Sequence, residues 1–147
     1  MSAAKILVVD DTPSNVKLLA DVLGAKGYAV VTAASGADAL EVVERERPDL
    51  VLLDVMMPRM DGWQVLEQLL EDDATREIPI IFLTARAEVR DRARGLELGG
   101  VDYVTKPFNP IELAPLVEDL VARVGRGERD SLRREKIAEL RELAERE

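Results

Sequence analysis

The most informative segment of the chain spans residues 50–62 and reads Leu50-Val51-Leu52-Leu53-Asp54-Val55-Met56-Met57-Pro58-Arg59-Met60-Asp61-Gly62. It begins with four consecutive apolar residues, which are typical of a strand buried on both faces of a sheet. This strand ends on a carboxylate, Asp54, and open α/β sheets place their functional groups at the carboxyl ends of strands. Pro58 and Asp61-Gly62 then predict a loop before the next helix.

Polar groups also follow three other predicted strands. The pairs of strand and following residues are Lys5–Val9 with Asp10-Asp11, Ile78–Leu83 with Thr84-Ala85, and Val101–Val104 with Thr105-Lys106-Pro107. Because the carboxyl ends of parallel strands meet at one edge of a sheet, we expect an acid pair, a single acid, a hydroxyl and a lysine at that edge.

The acidic residues in this set predict a metal site. If the first and third strands are neighbours, Asp10, Asp11 and Asp54 meet, and carboxylates held this close repel one another unless a cation joins them. Carboxylates supported by carbonyls and water suit a hard divalent ion, and Mg²⁺ is the natural candidate.

Strands and helices alternate along the chain, which predicts right-handed crossovers and a parallel sheet. The contact between Asp11 and Asp54 requires the first and third strands to be adjacent. The predicted fold is therefore α/β, a doubly wound five-stranded parallel sheet of order 2-1-3-4-5, flavodoxin-like (βα)5 with an extra C-terminal helix. Pro115 predicts a bend in the last helix of the sheet domain, or a later start than Pro110.

Composition narrows the function classes. The chain has 147 residues, 47% of them hydrophobic, which is enough for one domain with a real core. A net charge of −9 argues against direct nucleic-acid binding, because phosphate backbones attract lysine and arginine. The absence of cysteine and histidine excludes thiolate metal sites and histidine-based triads. Without a membrane span or signal peptide in the sequence, we expect a cytoplasmic protein.

The motifs at the strand ends, taken together, resemble a known family. Asp10-Asp11, Asp54 with its Met-Pro-x-Met-Asp-Gly continuation, Thr84-Ala85 and Lys106-Pro107 are similar to the hallmarks of the receiver domain of two-component response regulators, which is CheY-like. The resemblance covers about residues 4–124. We therefore expect a receiver domain over residues 1–124, followed by a linker and a charged helical extension over residues 125–147.

The resemblance implies a role for each site residue. Asp54 is the implied phosphoacceptor, with Mg²⁺ bound by Asp10, Asp11, Asp54 and the backbone carbonyl of Met56. Lys106 would contact a phosphoryl oxygen through its ammonium group, helped by a cis peptide bond to Pro107. Thr84 would donate its hydroxyl to the phosphoryl group, and Tyr103 matches the aromatic switch position.

The resemblance also implies the partners and the output. A phosphohistidine on a sensor histidine kinase or a histidine phosphotransfer protein is the expected donor, and the acceptor is a signalling switch that catalyses only its own phosphorylation and dephosphorylation. The switch surface would comprise a helix at about Glu88–Leu98, the last strand and the helix after Pro110. Homodimers through this surface or through the C-terminal helix, and an unknown downstream target, follow as expectations.

Other interpretations of the same residues lead to different proteins. A phosphatase of the haloacid-dehalogenase type also uses a strand-end aspartate and Mg²⁺, but it needs a second acid two residues later, where this chain has Met56. A flavodoxin-like mononucleotide binder needs a phosphate cradle where this chain has Asp10-Asp11. Residues 128–147 have a narrow apolar stripe of Ile137, Leu140 and Ala144, which fits a solvated tail as well as a partner helix. The chain is then either a stand-alone receiver or the front part of a longer regulator.

Overall fold

The computed structural model describes residues 4–85, 102–106 and 109–146, apart from a few side chains within these ranges. Within them, five strands alternate with helices. The strands are β1 (Lys5–Val9), β2 (Ala29–Ala33), β3 (Leu50–Asp54), β4 (Ile80–Ala85) and β5 (Asp102–Lys106). The described helices are α1 (Pro13–Ala25), α2 (Gly36–Glu46), α3 (Gly62–Glu71), α4 (Pro110–Gly125) and α5 (Arg129–Arg146). The helix predicted at about Glu88–Leu98 lies outside the described residues.

The five strands form one parallel sheet in the order β2-β1-β3-β4-β5. This confirms the predicted flavodoxin-like fold with its extra C-terminal helix. β1 and β3 are adjacent and in register from Ile6 beside Leu50 to Val9 beside Leu53. Their carboxyl ends therefore meet at the same edge of the sheet.

Helices cover both faces of the sheet and produce two layers of core. One layer joins β1, β3 and β4 to α2 and α3, and the other joins the same strands to α1, α4 and α5. All five residues of β3 are buried because side chains that alternate along a strand meet a helix layer on either side. The apolar run at Leu50–Leu53 is thus a strand buried on both faces of the sheet, as the sequence predicted.

Several element boundaries differ slightly from the predictions. β4 and β5 each extend to include the residues that were expected to follow them, so Thr84 and Lys106 belong to strands. Thr12 occupies the N-cap of α1, but its side chain makes no capping hydrogen bond. α4 begins at Pro110 and continues through Pro115, so the predicted later start is wrong. The side chain of Pro115 is exposed, on the outer side of α4.

The C-terminal helix α5 returns to the sheet instead of extending into solvent. Its Leu132 is 4% exposed and joins the core layer that contains Leu120 and Val104. Leu132 lies outside the apolar stripe that the sequence suggested, so the interpretation of this segment as a solvated tail is wrong for the first half of the helix. In the part of the chain that the structure describes, no helix combines the length and hydrophobicity that crossing a membrane requires.

Candidate functional site

Three aspartates converge at the carboxyl edge of the sheet. One carboxylate oxygen from each of Asp10, Asp11 and Asp54 lies within 4.8 Å of the others. Asp10 and Asp54 are buried, with exposed fractions of 0% and 1%, whereas Asp11 is exposed. Buried carboxylates this close together need a compensating positive charge. An all-oxygen donor set open to solvent on one side fits a hard divalent cation such as Mg²⁺.

Asp54 is held by the strand that ends on it. Its Cα lies opposite Leu83 of β4, and the next backbone amide, that of Val55, donates to the Leu83 carbonyl at 3.1 Å. The amide of Met56 donates to Asp54 Oδ1 at 3.1 Å. The strand register and this short turn together direct the carboxylate along the edge of the sheet.

Asp10 is oriented by the start of α1. The amide of Thr12 donates to Asp10 Oδ1 at 2.9 Å, and Asn15 Nδ2 donates to Asp10 Oδ2 at 3.3 Å. Both oxygens of the Asp10 carboxylate therefore accept hydrogen bonds from residues at the start of α1. Asn15 was not singled out in the sequence, although its position in the first turn of the helix after the acid pair was the available signal. Asp11, the exposed member of the trio, is the one open to solvent.

The loop after Asp54 packs tightly beneath the site. The amide of Gly62 donates to the Val55 carbonyl at 3.0 Å, which returns the chain to the end of β3. Arg59 adopts a left-handed backbone conformation with φ of 69°, an uncommon state for a residue with a side chain. The side chain of Met56 is 66% exposed at the rim of the site. The loop therefore leaves the rim open while fixing the backbone beneath it.

A reciprocal pair of hydrogen bonds defines the end of this loop and the start of α3. Asp61 accepts from the amide of Gln64 at 2.9 Å, and the side chain of Gln64 accepts from the amide of Asp61 at 2.9 Å. This capping box satisfies amide groups that the first turn of a helix otherwise leaves unpaired. The Asp61-Gly62 turn signal in the sequence is thus also a helix start.

The neighbouring strands bring two further predicted residues to the same edge. Thr84, 2% exposed, comes one residue after the β4 partner of Asp54, and Thr84 lies opposite Thr105 of β5. The backbone of Lys106 pairs with that of Ala85 at the end of β5. The structure does not describe the Lys106 side chain, so its predicted phosphoryl contact stays a prediction. Pro107, with the predicted cis bond, lies outside the described residues.

Tyr103 lies further down β5, away from the aspartates. It is half-buried and packs against the core layer that contains Phe82. Its neighbour Asp102 is only 3% exposed, and the Tyr103 amide donates to Asp102 Oδ1 at 2.7 Å. Asp102 is not among the site residues predicted from the sequence, although a carboxylate within the apolar strand predicted at Val101–Val104 was the available signal. The switch role of Tyr103 stays a prediction.

Burial shapes the charge state of Asp102. Loss of solvation raises the pKa of Asp102 above its ordinary value, and the ammonium of Lys136 and the Tyr103 amide offset this only in part. The same contact acts differently on the lysine. Partial burial alone would lower the pKa of Lys136, but Asp102 and then Glu139 outweigh it and raise the pKa. The carboxyl is therefore the destabilised partner of this pair, because it is the more deeply buried.

Comparison with known proteins now gives the family. A model of the response regulator receiver domain family matches residues 6–118, which is most of the chain and includes every described residue of the carboxyl edge. The chain belongs to the response regulator receiver domain family. It is a two-component signalling protein by this membership, as the motifs at the strand ends predicted.

Relatives of this receiver domain include longer proteins. The chain is 50% identical over 119 residues to the probable transcriptional regulator ycf27 of Cyanophora paradoxa. The aligned region covers 81% of this chain and 48% of that protein. It is 48% identical over 119 residues to the alkaline phosphatase synthesis transcriptional regulatory protein PhoP of Bacillus subtilis. Here the aligned region covers 81% of this chain and 49% of that protein. The chain thus spans about half the length of these relatives.

Solved structures agree with the fold of this receiver domain. A putative response regulator from Chloroflexus aurantiacus has a TM-score of 0.76 at 36% sequence identity, covering 82% of this chain and 99% of that one. The carboxyl edge described above is therefore part of a receiver-type fold.

Proposed function

We propose that this receiver domain accepts a phosphoryl group on Asp54. The donor is a phosphohistidine of a sensor histidine kinase or of a histidine phosphotransfer protein. The observation that carries the proposal is the convergence of Asp10, Asp11 and Asp54 within 4.8 Å at the end of two adjacent strands. Membership of the receiver family supports it.

The chemistry requires a nucleophile that is fixed in position. An oxygen of the Asp54 carboxylate attacks the phosphorus atom of a phosphohistidine whose other ring nitrogen carries a proton. The bond between phosphorus and the donor imidazole nitrogen breaks, and that nitrogen leaves with the electron pair. The product is an aspartyl phosphate and a neutral imidazole. The Met56 amide, donating to Asp54 Oδ1 at 3.1 Å, supports this step by holding the carboxylate in one orientation.

The residues that would hold Mg²⁺ are Asp10, Asp11 and Asp54, together with the backbone carbonyl of Met56. When bound, the ion supplies positive charge against the phosphoryl oxygens during transfer. Thr12 and Asn15 support this arrangement because their donors fix both oxygens of Asp10. Such outer contacts orient the groups that bind a metal directly.

Thr84 and Lys106 complete the proposed acceptor site. Thr84 would donate its hydroxyl to a phosphoryl oxygen, and the ammonium of Lys106 would act as a point charge on another. Their positions at the ends of β4 and β5 support these roles. Phosphorylation would then bias the surface around β5, including Tyr103, between two states and so control a partner or an output.

The direct test is labelling by a small donor with a phosphorus–nitrogen bond. Incubation with phosphoramidate and Mg²⁺ should add one phosphoryl group by intact mass, and hydroxylamine should remove it, as expected of an acyl phosphate. Asp54→Asn should fold normally and take up none. Asp21→Asn, a change at an exposed aspartate of α1, is the matched control and should label like the wild type. Equal labelling of Asp54→Asn would overturn the assignment.

What this receiver controls is also a proposal. The relatives named transcriptional regulators are about twice as long as the matched region, so the activity of their remaining halves says nothing of this chain. We infer that this receiver controls a partner or an attached output through the surface around β5, or forms a homodimer through it or through α5. Sedimentation with and without Mg²⁺ and beryllofluoride, a phosphoryl mimic, distinguishes a monomer from a phosphorylation-driven dimer.

A further inference from the structure

The C-terminal helix α5 is fastened to the rest of the domain by an ordered set of ion pairs. The chain turns at Gly127, whose φ is 80°. Arg123, near the end of α4, binds Glu128 at 3.1 Å through Nε and Glu135 at 2.8 Å through Nη2. Leu132 is buried against the sheet between these contacts. This geometry returns the helix along β5, which is the edge strand of the sheet.

One lysine of α5 contacts two consecutive residues of that edge strand. Lys136 Nζ lies 3.5 Å from Asp102 Oδ1 and 5.6 Å from the centroid of the Tyr103 ring. Side chains of consecutive strand residues project to opposite faces, so a group that contacts both must lie across the strand edge. We call Lys136, Asp102 and Tyr103 the latch. An ammonium over an aromatic ring and beside a buried carboxylate is held by both.

The latch and the acceptor site share β5. Asp102 begins this five-residue strand and Lys106 ends it, so about 13 Å separates them at the usual rise per residue. Between them, Tyr103 lies opposite Phe82, and Thr105 lies opposite Thr84. Within the described part of the sheet, β5 is hydrogen-bonded to β4 alone, so a shift at its Lys106 end meets resistance on one side only.

We propose that α5 is an intramolecular latch helix that is docked on β5 while Asp54 is unphosphorylated and released when it is phosphorylated. This inference rests on the proposed function. Engagement of Thr84 and Lys106 by a phosphoryl group shifts the end of β5 and the Tyr103 ring, and the contact of Lys136 with both latch residues belongs to the unphosphorylated arrangement. Release uncovers the edge strand and Leu132 for an output partner.

Thermodynamic linkage makes the proposal reciprocal. If the phosphoryl group weakens docking of α5, then weakening the docking must favour binding of the phosphoryl group by the same factor. A variant that loosens α5 should therefore bind beryllofluoride more tightly, although the change lies far from Asp54. A purely structural role of α5 predicts no such gain.

Hydrogen exchange of the full chain tests the release directly. Amides of residues 132–139 should exchange slowly in the free protein and at least about 5-fold faster with Mg²⁺ and beryllofluoride, the lower end of typical coupling between sites. Emission of Trp63, the single tryptophan, which packs on Phe82 beside the site, reports binding of the mimic independently of α5. If beryllofluoride binds but the α5 amides do not exchange faster, the proposed release of α5 is wrong and the proposed function is unaffected. Absence of both binding and Asp54 labelling overturns the proposed function and the coupling with it.

Variants test the reciprocal effect. Lys136→Met should speed exchange of α5 in the absence of any ligand and tighten beryllofluoride binding by about 5-fold or more. Arg134→Met, at an exposed position of the same helix, is the matched control and should change neither. Glu135→Gln loosens α5 from Arg123 without leaving Asp102 unpaired, and should give the same two changes if Lys136→Met does not fold. If Lys136→Met and Glu135→Gln both bind beryllofluoride no more tightly than the wild type, the proposed release of α5 is wrong.

Discussion

Gly62 and Asp54 touch through their backbones: a Cβ built on Gly62 would stand 2.5 Å from the carbonyl oxygen of Asp54 and 2.9 Å from Cα of Val55. Both neighbours are main-chain atoms at the end of a central strand, so neither can move aside without disturbing the site. The glycine therefore allows the loop to close directly beneath the proposed phosphoacceptor. The Asp-Gly pair, a turn signal in the sequence, has this steric requirement in the folded protein.

Gly62→Ala should therefore destabilise the domain and impair Asp54 together. We expect a loss of about 1–3 kcal/mol in the free energy of unfolding, as for other substitutions that overfill a packed site. Urea denaturation and phosphoramidate labelling measure the two effects. Gly24→Ala is the control, because a Cβ at this helical position meets no atom within 4 Å and alanine favours helix, so it should be neutral or stabilising.

Removing one carboxylate of the trio should weaken metal binding without unfolding the protein. Asp11 is the exposed member, so Asp11→Asn changes the charge of the site with little effect on packing. We expect Mg²⁺ affinity to fall by about tenfold or more, as seen when metal sites lose even a supporting group. Titration of Trp63 emission with Mg²⁺ measures this. Asp21→Asn should bind like the wild type, and a normal affinity in Asp11→Asn would argue against the proposed cation site.

The two members of the Lys136–Asp102 pair should differ in their importance for stability. Lys136→Met leaves a carboxylate that is 3% exposed without its counterion and should cost about 1–3 kcal/mol. Asp102→Asn leaves an ammonium that can reach water and should cost less. The double variant should be more stable than Lys136→Met alone. Urea denaturation of the four proteins gives the coupling energy, and strict additivity would contradict a direct interaction.

Stability should depend on pH through Asp102. Burial raises the pKa of this carboxyl above its ordinary value of 3.8, so the folded state binds the proton more tightly than the unfolded state. Its contribution to stability is thus fully present below that value and is lost as pH rises through the higher folded pKa. The charged groups that face Asp102 are Lys136, which opposes this loss, and Glu139, which adds to it.

Relative to Asp102→Asn, the wild type should therefore lose stability as pH rises from about 4 towards neutrality, because the amide does not titrate. Urea denaturation of both proteins over this range measures the difference. Asp21→Asn, an exposed site, should follow the wild type in parallel. A constant difference between the wild type and Asp102→Asn across the range would mean that Asp102 ionises as readily in the folded state as in the unfolded chain.

The parts of the fold that the sequence predicted depend on local patterns. Apolar runs that end on polar residues identified β1, β3 and β4 to within a few residues, and the need to join Asp11 to Asp54 predicted the strand order. Boundaries were less accurate where hydrogen bonding extended a strand beyond its apolar run, as at Thr84 and Lys106. Thr12 has the right residue type for a cap but forms no capping bond.

The amino-acid sequence by itself determined the sheet and the residues at its carboxyl edge, because strand periodicity and turn residues act over a few positions. Only the tertiary structure decided where α5 lies, since its apolar stripe is weak and its docking depends on Leu132, Lys136 and Arg123 meeting partners far along the chain. Asp102 illustrates the difference. Its sequence neighbours are those of an ordinary strand residue, and it becomes a buried carboxylate paired with Lys136 because a distant helix covers it.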